Sequence, residues 1–300
     1  MEMASEASRR VVQELWQRPA NDSLSLSDWR YAASAGERRT PPAELRWEEV
    51  DADGVPAGWS WLAPGDGGAG PVVMVFHGGG FIVCSMRTHR LLGAQVGAAA
   101  GGRALVVGYR LAPEHPFPAA VEDCAAAYRW VLQTGIAPER IVWFGDSAGG
   151  NLCCSALLLA RSQGLGCPAA LVMVSPAPDL TFSGDSNRSH RDRDPFSRID
   201  NPSRMLEYYL RGADPKDPLA SPVYGDLSGF PPMLIMVGPD ETHVDDSRTL
   251  AETARAAGVE VTFELVDGAF HTWLNYAGTV PEADESIERI GRFIASHAGG

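Results

Sequence analysis

Apolar positions along this chain fall into two rhythms. Short, nearly continuous apolar runs stand at Val72–Phe76, 104–108, 141–144, 171–175, Met233–Val237 and 260–266. Runs of about five residues rich in β-branched and aromatic side chains suit strands buried on both faces, as in a parallel sheet. Longer segments with helical spacing lie between them, at 88–100, Ala119–Gln133, the LCCSALLLARS stretch after Asn151, and 282–296. Near the N-terminus, Ala7, Val11, Val12, Leu15 and Trp16 recur at helical spacing and predict an amphipathic helix over 4–18. Its apolar stripe must dock on the body of the molecule or over a site. The segment 23–42 is polar and reads as irregular, and LRWEEV and GWSWLAP predict two short strands around the turn at Asp53 and Gly54. A loop follows at 65–70. Strands alternating with helices predict an α/β fold, and chains of 300 residues with this alternation form a single domain.

One interruption is too long for a plain loop. Residues 178–230 hold no strand pattern, only the charged run SGDSNRSHRDRDPFSR and a helix predicted over 203–210. Insertions of this length are commonly lids. The charge run reads as a solvated face. Met205, Leu206, Tyr208, Tyr209 and Leu210 could line a substrate pocket or form the lid's own core.

Composition narrows the function classes. A formal net charge of −13 and a pI near 4.9 argue against nucleic acid or an anionic membrane as partner. Five cysteines, two of them adjacent at Cys153 and Cys154, do not form a disulfide framework, and no CxxC or Cys/His cluster has metal-ligand spacing. The N-terminal MEMASEASRRVVQELWQR lacks the apolar centre of a signal peptide, and no run is long enough for a membrane span. The expected compartment is the cytoplasm.

The sharpest chemical signal is IVWFGDSAGGN at 141–151. Gly145, Ser147 and Gly149 match GxSxG between a buried strand and a buried helix. In a nucleophile elbow the serine sits on a strained strand-to-helix turn, so nothing bulky can stand two residues to either side. The hydroxyl of Ser147 is then exposed above the sheet edge, beside the amides of the following helix. A second signal is His77-Gly78-Gly79-Gly80 after the strand at Val72–Phe76. Bare glycine amides at a strand end suit an oxyanion hole, and the expected donors are Gly78, Gly79 and Ala148. His77 is read as tying the loop together. Arg110, Glu114, His115 and Asp123, in and after the proline-dense YRLAPEHPFPAAVED, are read as paired charges that brace a loop.

A triad built on such an elbow continues with an acid and then a histidine. Carboxylates crowd the end of the Met233–Val237 run, in GPDETHVDDS. Asp245 and Asp246 suit the first turn of the next helix. Asp240 and Glu241 remain as acids. His243 is too close in sequence to the acid and is expected to face elsewhere, and His297 lies near the chain end, whereas His271, in the loop DGAFHTW, can overhang the same sheet edge as Ser147.

Three ordered motifs carry a family resemblance: HGGG at 77–80, YRLAPE with the downstream Pro118 and Asp123, and GDSAGG at 145–150. From about Val72 to the C-terminus the chain resembles the hormone-sensitive-lipase-like branch of the α/β-hydrolase fold. The resemblance implies an eight-stranded, mostly parallel sheet with helices on both faces, no cofactor, and a cap built from about 1–45 and 178–230. Aspartate is the commoner acid among relatives, but aligning the downstream acidic pair with their DxLxDE pattern puts Glu241 at the acid position, with Asp240 bracing the loop. The implied activity is hydrolysis of short acyl esters, and a modest cap with an acidic surface suits small soluble ones, so acetyl or butyryl esters are expected to be preferred. The Ala-, Gly- and Arg-rich style also resembles actinobacterial acetyl-hydrolases that remove an N-acetyl group from antibiotic precursors such as that of bialaphos. A ligand-binding protein that kept the fold without catalysis is the remaining alternative, and it conflicts with a chain in which every triad member can be assigned.

Overall fold

Among the described residues eight strands form: β1 (Leu45–Asp51), β2 (Pro56–Leu62), β3 (Val72–Phe76), β4 (Arg103–Val107), β5 (Ile141–Asp146), β6 (Ala170–Val174), β7 (Met233–Val237) and β8 (Val261–Leu265). In the computed structural model, which describes residues 4–18, 24–38, 40–65, 68, 70–199 and 202–298, they make one sheet. Its order is β1-β2-β4-β3-β5-β6-β7-β8. β2 runs antiparallel to both of its neighbours, and every later pair is parallel. The parallel part is the part that the apolar runs predict.

Period-two alternation sorts the strand side chains between two cores. Val73, Val75, Val142 and Phe144 face one, Met74, Phe76, Ile141 and Trp143 the other. The major helices are α1 (Glu6–Trp16), α2 (Leu26–Ala33), α3 (Arg90–Ala99), α4 (Ala119–Gln133), α5 (Ala148–Ser162), α6 (Val244–Ala256) and α7 (Pro281–His297). Leu92 and Val96 of α3 and Ile287, Ile290 and Ile294 of α7 complete the first core. Val121, Leu152 and Leu250, from α4, α5 and α6, complete the second. Each such side chain, fully withdrawn from water, contributes about 1.5–3 kcal/mol, so the two layers together fix the plane from which the site is built.

The N-terminal helix docks as its stripe requires. Val11 and Leu15 join the core that contains α7. Ser5 caps α1 by accepting from the Ser8 amide, and its own amide and hydroxyl donate to Glu282 of α7 at 2.6 and 2.8 Å. Ser8 then donates to the carbonyl of Gly268, so α1 sits behind the loop that carries His271.

Two expectations change here. The segment read as irregular holds α2 and a short turn of helix at Ala35–Arg38. Ser25 caps α2 by accepting from the Asp28 amide, and Trp29 is its only buried residue. Leu26 and Ala33 pack beside it as a short apolar stripe, and polar anchors add to this hold: Arg30 donates to the carbonyls of Ile82 and Ala112 and pairs with Glu114 at 2.6 Å. The charge run in 178–230 is likewise only partly a solvated face. Asp194 is buried and accepts from the Thr242 amide at 2.9 Å, while Ser186 and Asn187 bind Asp245 and Asp246. Among the described residues this insertion has no strand; it has short helices at Ser186–Ser189, Phe196–Ile199 and Pro202–Met205, the last widening into a π turn at Leu206–Leu210. Among the described residues no helix is long and apolar enough to cross a membrane.

Candidate active site

Ser147 ends β5 and begins α5 with φ 53° and ψ −119°, a conformation costly for any residue with a side chain. The flanking glycines explain how the turn is accommodated. A Cβ on Gly145 would lie 2.2 Å from the Gly149 carbonyl oxygen, and one on Gly149 only 1.8 Å from that of Phe76. The GxSxG spacing is therefore steric: two chain segments pass where a methyl group cannot. The backbone of β6 braces the turn, since the Ser147 amide donates to Val174 O at 2.9 Å.

From this elbow the Ser147 hydroxyl reaches Nε2 of His271 at 3.0 Å. Nδ1 of the same ring lies 2.9 Å from Oε2 of Glu241. All three side chains are buried. Glu241 uses its other oxygen to accept from the Gly238 amide at 2.6 Å and from the Ser175 hydroxyl at 2.8 Å. Both carboxylate oxygens are thus held, one by the strand ends and one by the imidazole. Asp240 stands apart, 42% exposed, with one oxygen 3.8 Å from the Arg193 guanidinium.

Comparison with known proteins bears on the fold and the class of activity. The profile of the α/β-hydrolase-fold family matches residues 73–275. The chain belongs to that family. An acetyl-hydrolase of Streptomyces hygroscopicus is 44% identical over 77% of this chain and 77% of its own length. An esterase of Acinetobacter venetianus is 34% identical over 75% of each. Among solved structures, an esterase of the bacterial hormone-sensitive lipase family has 40% identity and a TM-score of 0.92, covering 98% of this chain and 99% of that one. EstE5, soaked with p-nitrophenyl butyrate, has 37% identity and the same TM-score and coverage. These likenesses place this α/β hydrolase in the hormone-sensitive-lipase-like branch.

The glycine loop of this hydrolase differs from the sequence reading in one donor. Gly78 N–H already donates to Oδ1 of Asp146 at 3.0 Å, so its amide is engaged on the strand that leads into Ser147. The amides of Gly79 and Gly80 have no acceptor among the described residues. Both glycines have positive φ, 109° and 60°, and a Cβ on Gly79 would lie 2.4 Å from Val83 O. Ala148 is the first residue of α5, where an amide has no intrahelical acceptor. His77 ties the loop as expected: Nδ1 contacts Gly78 O at 2.8 Å and Tyr109 stacks on its ring. Burial pushes His77 down to about 3, with His89 adding to the effect, so it stays neutral.

Asp146 and His89 form a second histidine–carboxylate pair that the sequence reading did not single out. His89 Nε2 lies 3.2 Å from Asp146, and Thr88 holds the other ring nitrogen at 2.8 Å. Burial alone would raise the Asp146 carboxyl, but His89, with smaller contributions from His271 and His77, outweighs it and holds the group below its ordinary value. The carboxylate therefore links the nucleophile strand to the glycine loop. Asp146→Asn removes one of the two acceptors that this link needs and lets the loop shift. We expect kcat for a short ester to fall about a hundredfold with KM little changed, because small misplacements of reacting groups cost about that much. Steady-state kinetics check it, and a change confined to KM would contradict the positioning role.

A cavity of about 390 Å³ opens above Ser147, lined by Leu24 and Trp29 on one side and by Val83, Phe196 and Asn275 on the others. Leu24 and Trp29 were hidden in the segment read as polar. The candidate pocket residues of the insertion divide. Tyr209 is fully buried, stacked on Phe81 at 3.8 Å, and belongs to the core, whereas Met205 borders a small space behind His271. His243 does not face elsewhere: its ring packs 5.1 Å from that of His271 and its Nδ1 lies 3.6 Å from Asp246. Arg110 and Asp123 pair through several contacts of 2.8–3.0 Å, which braces the proline-dense loop.

Proposed function

We propose that this chain is a serine hydrolase of short acyl esters, working through Ser147, His271 and Glu241. The observation that carries the reading is the unbroken chain of contacts from hydroxyl to imidazole to carboxylate, at 3.0 and 2.9 Å. Ser147 attacks the ester carbonyl while His271 Nε2 takes its proton. The amides of Gly79, Gly80 and Ala148 receive the negative oxygen of the tetrahedral intermediate. His271 then protonates the departing alcohol, and a water repeats the sequence on the acyl-enzyme. Glu241 orients the ring and stabilises its charged form.

Preference for acetyl or butyryl groups is supported by the walls that Trp29 and Phe196 put around a cavity of modest size. The segments 1–45 and 178–230 act as its cap, supported by Trp29 and Phe196 coming from these two stretches. Rates on a series of p-nitrophenyl esters test this, with a maximum expected at roughly two to four carbons, since a cavity of this size holds a small acyl group. A maximum at long acyl chains would reject it. The likeness to an acetyl-hydrolase favours an acetyl group as the one removed, and a second reading, suggested by the family resemblance, is its removal from nitrogen in an antibiotic-precursor peptide. Acetate release from an N-acetylated peptide, set beside the ester rate, decides between them. Five cysteines without a disulfide among the described residues support a reducing cytoplasm as the setting.

A further inference from the structure

A second chamber of about 330 Å³ adjoins the cavity above Ser147 and shares with it Arg18, His89, Phe196, Thr272 and Asn275. Its floor includes Thr272, Leu274 and Tyr276, the residues that directly follow His271. His271 is the group that protonates the departing half of the substrate, so a chamber on the side of its loop receives the leaving group. With a short acyl half on the carbonyl, the leaving group is also the only part long enough to extend there.

The charge of this chamber is opposite to that of the protein. The chain has a net charge of −13, yet Arg18, Arg87 and Arg90 line the chamber and, among the described residues, no aspartate or glutamate does. Arg87 is engaged by Glu49 at 2.7 Å, and Arg90 reaches the Glu37 carbonyl at 3.4 Å. Arg18, at the boundary of the two cavities, has no acidic partner among the described residues. A cation without a counter-ion in a concave site is a place for an anion, and a guanidinium suits a carboxylate.

Resting on the ester-hydrolase reading above, we propose that the leaving group of the substrate carries a carboxylate, as a hydroxy acid does, and that Arg18 recognises it. Arg18 also stands just past the end of α1, where a positive charge suits the helix dipole. That contribution is the same whatever the substrate.

The test pairs 4-acetoxybenzoate with its methyl ester, which share the scissile bond and differ in one charge. For the unchanged protein the ratio of kcat/KM favours the carboxylate. In Arg18→Gln this ratio falls about fivefold, while Arg18→Lys keeps most of it, and about 0.5 M salt erodes the preference in the unchanged protein. A ratio that Arg18→Gln leaves alone, including one in which both esters slow equally, overturns the proposal. If neither ester is turned over, the hydrolase reading fails, and the chamber is judged by calorimetry with 4-hydroxybenzoate. Binding that Arg18→Gln abolishes sustains the anion site; absent or unaltered binding rejects it.

Discussion

Ser147→Ala lowers turnover of a short acyl ester by about a millionfold and leaves the melting temperature close to that of the unchanged protein. The size of the loss follows from how the three side chains work. Without the hydroxyl there is nothing for His271 to activate, so the imidazole and the carboxylate behind it contribute nothing further. What remains is the stabilisation that the loop and helix amides give to attack by water, roughly a thousandfold over the uncatalysed reaction. Removing His271 as well therefore adds little, and the double variant Ser147→Ala, His271→Ala is expected to match either single one. The fold is spared because alanine needs no more room than serine at φ 53° and the bracing contacts of the elbow are made by backbone atoms. Ester turnover, melting curves and labelling by an organophosphate check the three statements. Substantial turnover in a folded Ser147→Ala protein would remove Ser147 from the mechanism.

The parallel strands are legible because burial on both faces leaves no choice of composition. VVMVF, ALVMV and MLIMV are apolar at every position, and each is wholly buried. Ser147 is legible for a related reason, since its neighbours must be glycine wherever two backbones pass within contact of Cβ positions. What escaped the sequence lies where polar contacts between distant segments decide the outcome. The helix α2 fully buries a single tryptophan, with only Leu26 and Ala33 half-buried beside it, so its apolar stripe is short, and its other anchors are the carbonyls of Ile82 and Ala112. The glycine loop shows that amides can approach a ligand, but not which of them is already taken. Gly78 is taken by Asp146, 68 residues away. His89 and His243 look alike in sequence, two histidines at helix starts, and only the packing brings one beside Asp146 and the other beside His271.

The choice between Asp240 and Glu241 is of the same kind, and it leads to the second large effect. Glu241→Gln lowers kcat by about ten-thousandfold, and Asp240→Asn changes it by no more than a few-fold. In Glu241→Gln the position of Oε1 must still accept from the Gly238 amide and the Ser175 hydroxyl, so the carboxamide oxygen settles there. Its NH₂ then faces Nδ1 of His271, and two donors cannot share that contact. The imidazole responds by carrying its proton on Nε2, the nitrogen 3.0 Å from Ser147. A protonated Nε2 cannot take the proton of the hydroxyl, so the ring stays in place while the base is lost. Asp240, by contrast, lies 3.8 Å from a guanidinium at the surface, where solvent and salt screen the pair. Kinetics of both variants, with melting curves to show that each is folded, separate the two assignments. Collapse of activity in Asp240→Asn alone would move the acid to Asp240 and leave the buried Glu241 as a brace between β6 and β7. The hydrogen bonds from Gly238 and Ser175 point the other way: they hold one oxygen of Glu241 as an acceptor and leave the second to fix the tautomer on which the whole proton transfer depends.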